Sequence, residues 1–271
     1  MALSKNQIKF ICSLHQKKYR DENKLFIAEG EKIVNDLLKS SFIIKSIYAT
    51  NFFLKSQLTT NSSQIIEVTQ DELIRISTLT TPNQALAVAE IPQYEIDEKE
   101  IMDSLSLVLD EIQDPGNLGT IIRIADWFGI KNIICSENCV DVFNPKVVQA
   151  TMGSICRVKI HYTDIKMFLE NGKWKMPCLP EGRENGNSFK IYGALLNGKN
   201  IYEEKLSNKG LIILGNESKG LSKDLLPFIT HKIKIPSFSN SLSKGEGRGE
   251  VESLNVAVAA AVICSEFNRG F

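Results

Sequence analysis

Nowhere does the sequence carry a run of eighteen apolar residues, so it offers no segment long and greasy enough to span a bilayer as a helix. No CxxC pair occurs among its 6 cysteines (Cys12, Cys135, Cys139, Cys156, Cys178 and Cys264), which removes the usual zinc-ribbon and thioredoxin-like readings. Histidine is scarce as well. His15, His161 and His231 lie far from the cysteines in sequence, and Cys135 with Cys139 is the nearest thing to a ligand pair, so no metal is expected. Charge of one sign is missing: 32 basic residues balance 32 acidic ones, and any affinity for a polyanion must be local. Neither GxxxxGK[ST] nor GxGxxG is present, which deprives a nucleotide-binding P-loop or a Rossmann dinucleotide site of its phosphate-cradling turn. The opening "MALSKNQIKFICSL" is polar at its start and lacks the apolar core of a secretory signal. The expectation is a cytoplasmic protein with reduced cysteines and no membrane partner.

What remains is an ordinary globular composition, 43% hydrophobic and 24% charged over 271 residues, enough for one large core or two modest ones. The first ninety residues alternate element types. A helical pattern from Ser4 to Lys18 precedes a strand at "LFIAEG" and a helix at "EKIVNDLLKS". Strands follow at "IKSIYAT" and "QIIEVT", then a helix at "QDELIRIST" and a strand at "ALAVAEI". Residues 1–92 therefore read as a small α/β domain. The acidic stretch within 93–104 reads as a linker, and a second domain fills 105–271. Lys9, Lys17, Lys18, Arg20 and Lys24 form a basic segment that suits either phosphate contact or a solvated helix face.

In the second part, "LSLVLD", "NIICS", "IYGALLN", "LIILGNE" and "HKIKIP" are apolar strands separated by helical or glycine-containing stretches, the pattern of a mostly parallel sheet covered on both faces. Ligands collect beyond the carboxyl ends of such strands. Three loops there carry polar residues. In "DEIQDPGNLGTIIRIADWFG", Pro115 and Gly116 suggest a turn, Asn117 a cap, and Ile121, Ile122, Ala125 and Phe128 a helical stripe that Arg123 stands off. In "LIILGNESKGLS", Gly215 permits close backbone approach and Glu217 heads the segment that follows. The last, "ESLNVAVAAAVICSEF", offers Ser253 and Asn255 as caps of an alanine-rich helix, too short for a membrane and expected to be buried. Two glycine- and serine-rich stretches, Pro180 to Ser188 and Ser237 to Val251, fit no element.

Taken in order, "DPGNLGTIIRIADWFGI", "LGNESKGLS" and "IP…ESLNVAVAAAVI" resemble the three motifs of the SpoU branch of the SPOUT superfamily, the RNA 2′-O-ribose methyltransferases; "YRDENKLFIAEGEKIVNDLL" is similar to the opening of that family's small substrate-binding domain. The resemblance implies an α/β fold whose C-terminal segment is threaded into a deep trefoil knot, and a homodimer formed through that domain. It implies S-adenosylmethionine as methyl donor, held around Gly215, Ile235 and Leu254, with Asn216 and Leu195 beside them. It places Arg123, Asn117, Glu217, Ser253 and Asn255 at the reacting centre, with Glu217 orienting Arg123; the separate N-terminal domain and its basic segment favour ribosomal RNA as substrate ahead of transfer RNA, and the alternative is a non-catalytic RNA-binding protein on the same scaffold. Arg123 is often described as the base in this family, yet a guanidinium is protonated at any ordinary pH and is better suited to gripping phosphate and stabilising a developing alkoxide. Between Pro236 and Ser253 the chain is longer than the family's usual spacing.

Overall fold

The computed structural model describes residues 3–56, 65–174, 189–237 and 253–269. These divide into two compact units: one comprises residues up to Tyr94 with Leu118–Arg123 and Val140–Arg157, the other Glu95–Asn117, Ile124–Cys139 and the chain from Val158 on.

The first unit opens with α1 (Lys5–Ser13) and α2 (Lys17–Asn23), followed by β1 (Leu25–Glu29), α3 (Glu31–Leu38), β2 (Ile44–Ala49), α4 (Asn51–Ser56), β3 (Ile65–Glu67), α5 (Gln70–Ile76) and β4 (Ala85–Glu90). The single helix expected over Ser4 to Lys18 is two. Ser4 and Gln7 form a reciprocal capping box that starts α1, and the chain breaks after Ser13. Arg20, which the sequence leaves open to phosphate contact or a solvated helix face, stabilises that break: it is 2% exposed, and its Nη1 donates to the carbonyls of Leu14 and His15 at 2.9 and 2.8 Å. Its Nη2 meets the Asp141 carboxylate at 2.6 Å. A buried guanidinium needs all of these partners, so Arg20 belongs to the interior and not to the basic patch. The sheet runs β1-β4-β2-β3, with β4 antiparallel to both neighbours and β2 parallel to β3. Ile11, Leu14, Ile27, Leu73, Ile76 and Leu86 are packed against one side of it.

Within the acidic stretch, Asp97 caps α6 (Glu98–Asp103), whose Ile101 is fully buried. Beyond it run β5 (Leu105–Leu109), α7 (Pro115–Trp127), β6 (Asn132–Cys135), α8 (Pro145–Thr151), β7 (Lys159–Tyr162), α9 (Ile165–Asn171), β8 (Ile191–Asn200), β9 (Gly210–Leu214), β10 (His231–Lys234) and α10 (Val256–Phe267). α8 and the middle of α7 belong to the first unit, where Gly119 brings the two together: a Cβ there would lie 2.4 Å from the Ala150 Cβ.

The second unit is built on six strands in the order β10-β8-β9-β5-β6-β7, all paired in parallel. β5 and β9, the central pair, are buried at every position, as strands covered on both faces must be. Parallel pairing gathers the loops after β5, β6 and β9 at one edge. At the β8–β10 pair the register shifts: Lys232 lies opposite Gly193 but Ile233 opposite Lys199, so residues 194–198 bulge out. Gly198 closes the bulge, since a Cβ there would strike the Ile233 backbone at 2.5 Å. α10 packs through Phe267, edge-on to Tyr192 of β8 with ring centroids 4.7 Å apart.

The alanine-rich helix is not buried all round, contrary to expectation. Ala257, Ala260, Ile263, Cys264 and Phe267 face inward, while Val258 is 51% exposed. Cys178 and the two glycine- and serine-rich stretches, apart from Ser237, lie outside the described residues, and with them the crossing that would thread a knot. Among the described residues no helix is long and apolar enough to cross a membrane.

Candidate functional site

The edge where β5, β6 and β9 end is held by side chains of the loops themselves. Asp110 is buried directly after β5, its amide bonded to the Leu214 carbonyl at 2.9 Å and its carboxylate accepting from the Ser222 amide at 2.7 Å. Glu111 follows with φ of 55°, a left-handed conformation rarely adopted outside glycine. The surroundings hold it there. Its amide donates to the Ser136 hydroxyl at 2.9 Å, and its carbonyl accepts from the Asn216 side-chain amide at 2.9 Å. Its carboxylate meets Lys219 Nζ at 2.8 Å. That hydrogen bond draws the Glu111 carboxyl below its usual range and raises the Lys219 ammonium above its own. The Ile112 amide donates to Cys139 Sγ at 3.2 Å. Contact with Cys135, first, and these nearby donors bring the Cys139 thiol down to about 7, and Cys135 is pushed well up.

α7 begins one turn earlier than the sequence suggests. Pro115 and Gly116 are its first residues, and the cap is Asp114, whose carboxylate accepts from the Asn117 amide at 2.8 Å. Asn117 is thereby released from capping. Its side-chain amide donates to Glu217 Oε1, and its side-chain oxygen accepts from the Asn255 amide at 2.9 Å. Asn255 is the cap of α10: its Oδ1 accepts from the amides of Ala257 and Val258 at 2.9 and 3.3 Å.

The direction of this chain of hydrogen bonds is fixed at both ends. Backbone N–H groups at the start of α10 can only donate, so Asn255 turns its oxygen to them and its amide to Asn117. Glu217 as a carboxylate can only accept, so Asn117 turns its amide to Glu217. One residue from each of the three motif loops is thus tied into a single oriented relay. Three of the five residues expected at the reacting centre are brought together in this way. Ser253 is exposed beside them with no side-chain partner among the described residues. Arg123 is also exposed, and makes no ion pair among the described residues. At 100° and 1.5 Å per residue it stands roughly 120° around α7 from Asn117 and about 9 Å further along. Within the chain Glu217 is bound by Asn117.

Of the expected donor positions, Leu195 is half-buried in the β8 bulge, Gly215 follows β9, and Ile235 follows β10, all half-buried on three adjacent strands. A Cβ at Gly215 would lie 2.4 Å from the Gly220 carbonyl oxygen, so only glycine lets the turn fold back on the strand end. Asn216 makes that turn. Its backbone pairs both ways with Gly220 at 3.1 and 2.9 Å, and its side-chain oxygen accepts from the Ser218 and Lys219 amides at 2.9 and 3.2 Å. Leu254 is 46% exposed just ahead of α10. Apolar and backbone groups of this kind suit the adenosine of S-adenosylmethionine, whose recognition needs no metal. Among the described residues no group of three or more His, Cys, Asp or Glu is placed to hold a metal ion.

Asp114, Glu111 and Lys219 were not singled out in the sequence. The Asp-Pro pair was the signal for the cap, as proline is favoured at the first helical position; nothing in the sequence marks Glu111 as left-handed. A cavity of about 580 Å³ lies in the first unit, where Lys24, Phe42, Lys45 and Tyr94 line it.

Comparison with known proteins agrees with this geometry. Residues 5–87 match the MRM3-like substrate binding domain, and residues 104–265 the SpoU rRNA Methylase family. The 23S rRNA (guanosine(2553)-2′-O)-methyltransferase RlmP of Bacillus subtilis is 32% identical over 96% of this chain and 95% of its own. A structure from Porphyromonas gingivalis assigned to the TrmH family of RNA methyltransferases is 35% identical, covers 99% of both chains and superimposes with a TM-score of 0.82. The AdoMet-bound rRNA methyltransferase from Sinorhizobium meliloti is 26% identical, with a TM-score of 0.78 over 100% of this chain and 98% of that one. With its three motif loops joined at one sheet edge and the family match running from just before β5 almost to the end of α10, the chain belongs to the SpoU rRNA methylase family.

Proposed function

We propose that the protein transfers the methyl group of S-adenosylmethionine to a ribose 2′-hydroxyl of ribosomal RNA, in the cytoplasm. The observation that carries this is the relay joining Asn117, Glu217 and Asn255, one residue from each motif, at the carboxyl edge of a parallel sheet. Relatives named as rRNA 2′-O-methyltransferases support ribosomal RNA over transfer RNA as the substrate. The donor supplies an electrophilic methyl on a sulfonium. Leu195, Gly215, Asn216, Ile235 and Leu254 form its rim, and the protein's part is to hold the attacking oxygen in line and to manage its proton and charge. We assign residues 1–92 to RNA binding, 93–104 to the connection, and 105–271 to methyl transfer with the C-terminal segment knotted.

The working unit in this reading is a homodimer. Trp127 is 84% exposed at the end of α7, Leu196 77% exposed in the β8 bulge, and Val258 and Leu254 are open at the start of α10; a second copy covering them would remove apolar surface from water. Arg123, turned about 120° away from Asn117 on its helix, would then serve the partner's reacting centre, gripping a phosphate and the developing alkoxide.

Methyl transfer from radiolabelled S-adenosylmethionine to ribosomal and transfer RNA, free and as ribosomal particles, tests the reading. Label in ribosomal RNA that resists alkali, because the blocked 2′-oxygen cannot attack its phosphate, and that is lost with Arg123→Ala, is the expected result. Label that is alkali-labile, or found in transfer RNA alone, overturns it.

A further inference from the structure

We propose that Glu217 accepts the proton of the attacking 2′-hydroxyl, an inference that rests on the methyltransferase reading above. Methyl transfer to an alcohol leaves a proton to be placed, and a guanidinium with no free lone pair cannot take it. In the loop after β5 the carboxylates are otherwise occupied. Asp110 is buried and accepts from the Ser222 amide. Glu111 is paired with Lys219 and accepts from Asn138. Asp114 caps α7. Glu217 differs from all three. Only its Oε1 is engaged, by Asn117, and Oε2 has no partner among the described residues.

Position reinforces this. The turn carrying Glu217 is closed by two backbone hydrogen bonds between Asn216 and Gly220, which fixes where the side chain starts. The relay fixes where it ends: from the amides opening α10, through Asn255 and Asn117, each donor is aimed so that Oε1 is held and Oε2 is left without a partner among the described residues. A carboxylate that is half-buried, immobilised through one oxygen and free at the other is the arrangement a proton acceptor needs. The step balances. The O2′–H bond breaks toward Glu217 Oε2 as the new O2′–CH3 bond forms, and the C–S bond leaves its electron pair on sulfur. The sulfonium's positive charge and the carboxylate's negative charge disappear together, giving an ether, a thioether and a carboxylic acid.

Glu217→Gln is nearly isosteric and keeps an oxygen to accept from Asn117, so folding and donor binding serve as independent readouts. The expected result is an unchanged thermal midpoint and donor affinity by calorimetry within about threefold, with the single-turnover methylation rate at neutral pH lowered by about 100-fold or more. The acid limb of the wild-type pH–rate profile should also flatten in this variant. Asn117→Ala, which loosens the carboxylate without removing it, should slow the rate yet keep that limb. Glu217→Gln with wild-type rate, or with the acid limb intact, overturns the proposal while the methyltransferase reading stands. A wild-type protein that binds donor and methylates no RNA or ribosomal particle overturns both.

Discussion

Replacing Asn255 by aspartate changes one NH2 for one oxygen, and the relay predicts which properties follow that atom. Asn255 does two things: its Oδ1 caps α10 through the Ala257 and Val258 amides, and its amide donates to Asn117. Aspartate caps as well as asparagine, so α10 should lose nothing and global stability should stay within about 0.5 kcal/mol of wild type. The relay cannot be satisfied, however. With the introduced carboxylate presenting an oxygen to the Asn117 oxygen, two acceptors face one another; if the Asn117 amide flips to donate to that carboxylate, its own oxygen is turned to Glu217. One acceptor–acceptor contact persists either way. In half-exposed positions the pair relieves this contact by turning one side chain to water at little cost to the fold, and the resulting displacement of Glu217, worth about 1–2 kcal/mol in the transition state, lowers the methylation rate about 5- to 30-fold. Asn255→Ala supplies the contrast, since it loses the cap and one neutral hydrogen bond and should destabilise the fold by about 1–2 kcal/mol. Urea denaturation with matched m-values and single-turnover methylation separate the two effects. If Asn255→Asp were as destabilising as Asn255→Ala, or as active as wild type, the oriented relay would be refuted.

Three further outcomes follow from the same packing. Asp141→Ala strands the guanidinium of Arg20, which is 2% exposed, and should cost about 3 kcal/mol in urea denaturation, whereas a solvated pair would cost under about 1 kcal/mol. Gly119→Ala should destabilise by about 2 kcal/mol: a Cβ 2.4 Å from Ala150 and 2.9 Å from the Val147 carbonyl overpacks the α7–α8 contact by about 3 kcal/mol and regains about 1 kcal/mol of helix propensity. A Gly119→Ala protein as stable as wild type would show that α7 and α8 do not approach this closely. The Cys139 thiol ionises near 7 in the fold against an ordinary 9.0, so the unfolded chain binds the extra proton in between. Stability should therefore rise from about pH 7 to pH 9 and be lost as pH falls through 7, and Cys139→Ser should flatten that rise in a pH series of chemical melts.

Much of this molecule is written in local patterns. Period-two and unbroken apolar runs mark nine of the ten strands to within a few residues, because β-branched residues in buried strands have no alternative use. The tenth, β7, is short and half polar and carries no such signal, and β8 runs on to Asn200, past the bulge. The loops at strand ends were legible for a similar reason: parallel strands put their polar punctuation at one edge, and the ordered motifs there identified the family. What misled was also local. Asn117 looks like a cap because it stands ahead of an apolar stripe, but Asp-Pro starts the helix a turn earlier. Arg20 looks like one more surface cation. Only the fold shows that Asp141, 121 residues away, is waiting for it.

By itself, then, the sequence determined most of the elements, the parallel class of the second sheet, the loops that matter and the family, since each depends on residue type and short spacing. Tertiary structure decided which polar atoms face one another. The relay couples residues 100 and 138 positions apart, and its direction comes from the one-way donors at the start of α10 and the one-way acceptor at Glu217. A sequence names those residues but does not orient an amide; only closure of the sheet edge, with both ends of the chain of hydrogen bonds in place, leaves Asn117 a single way to turn.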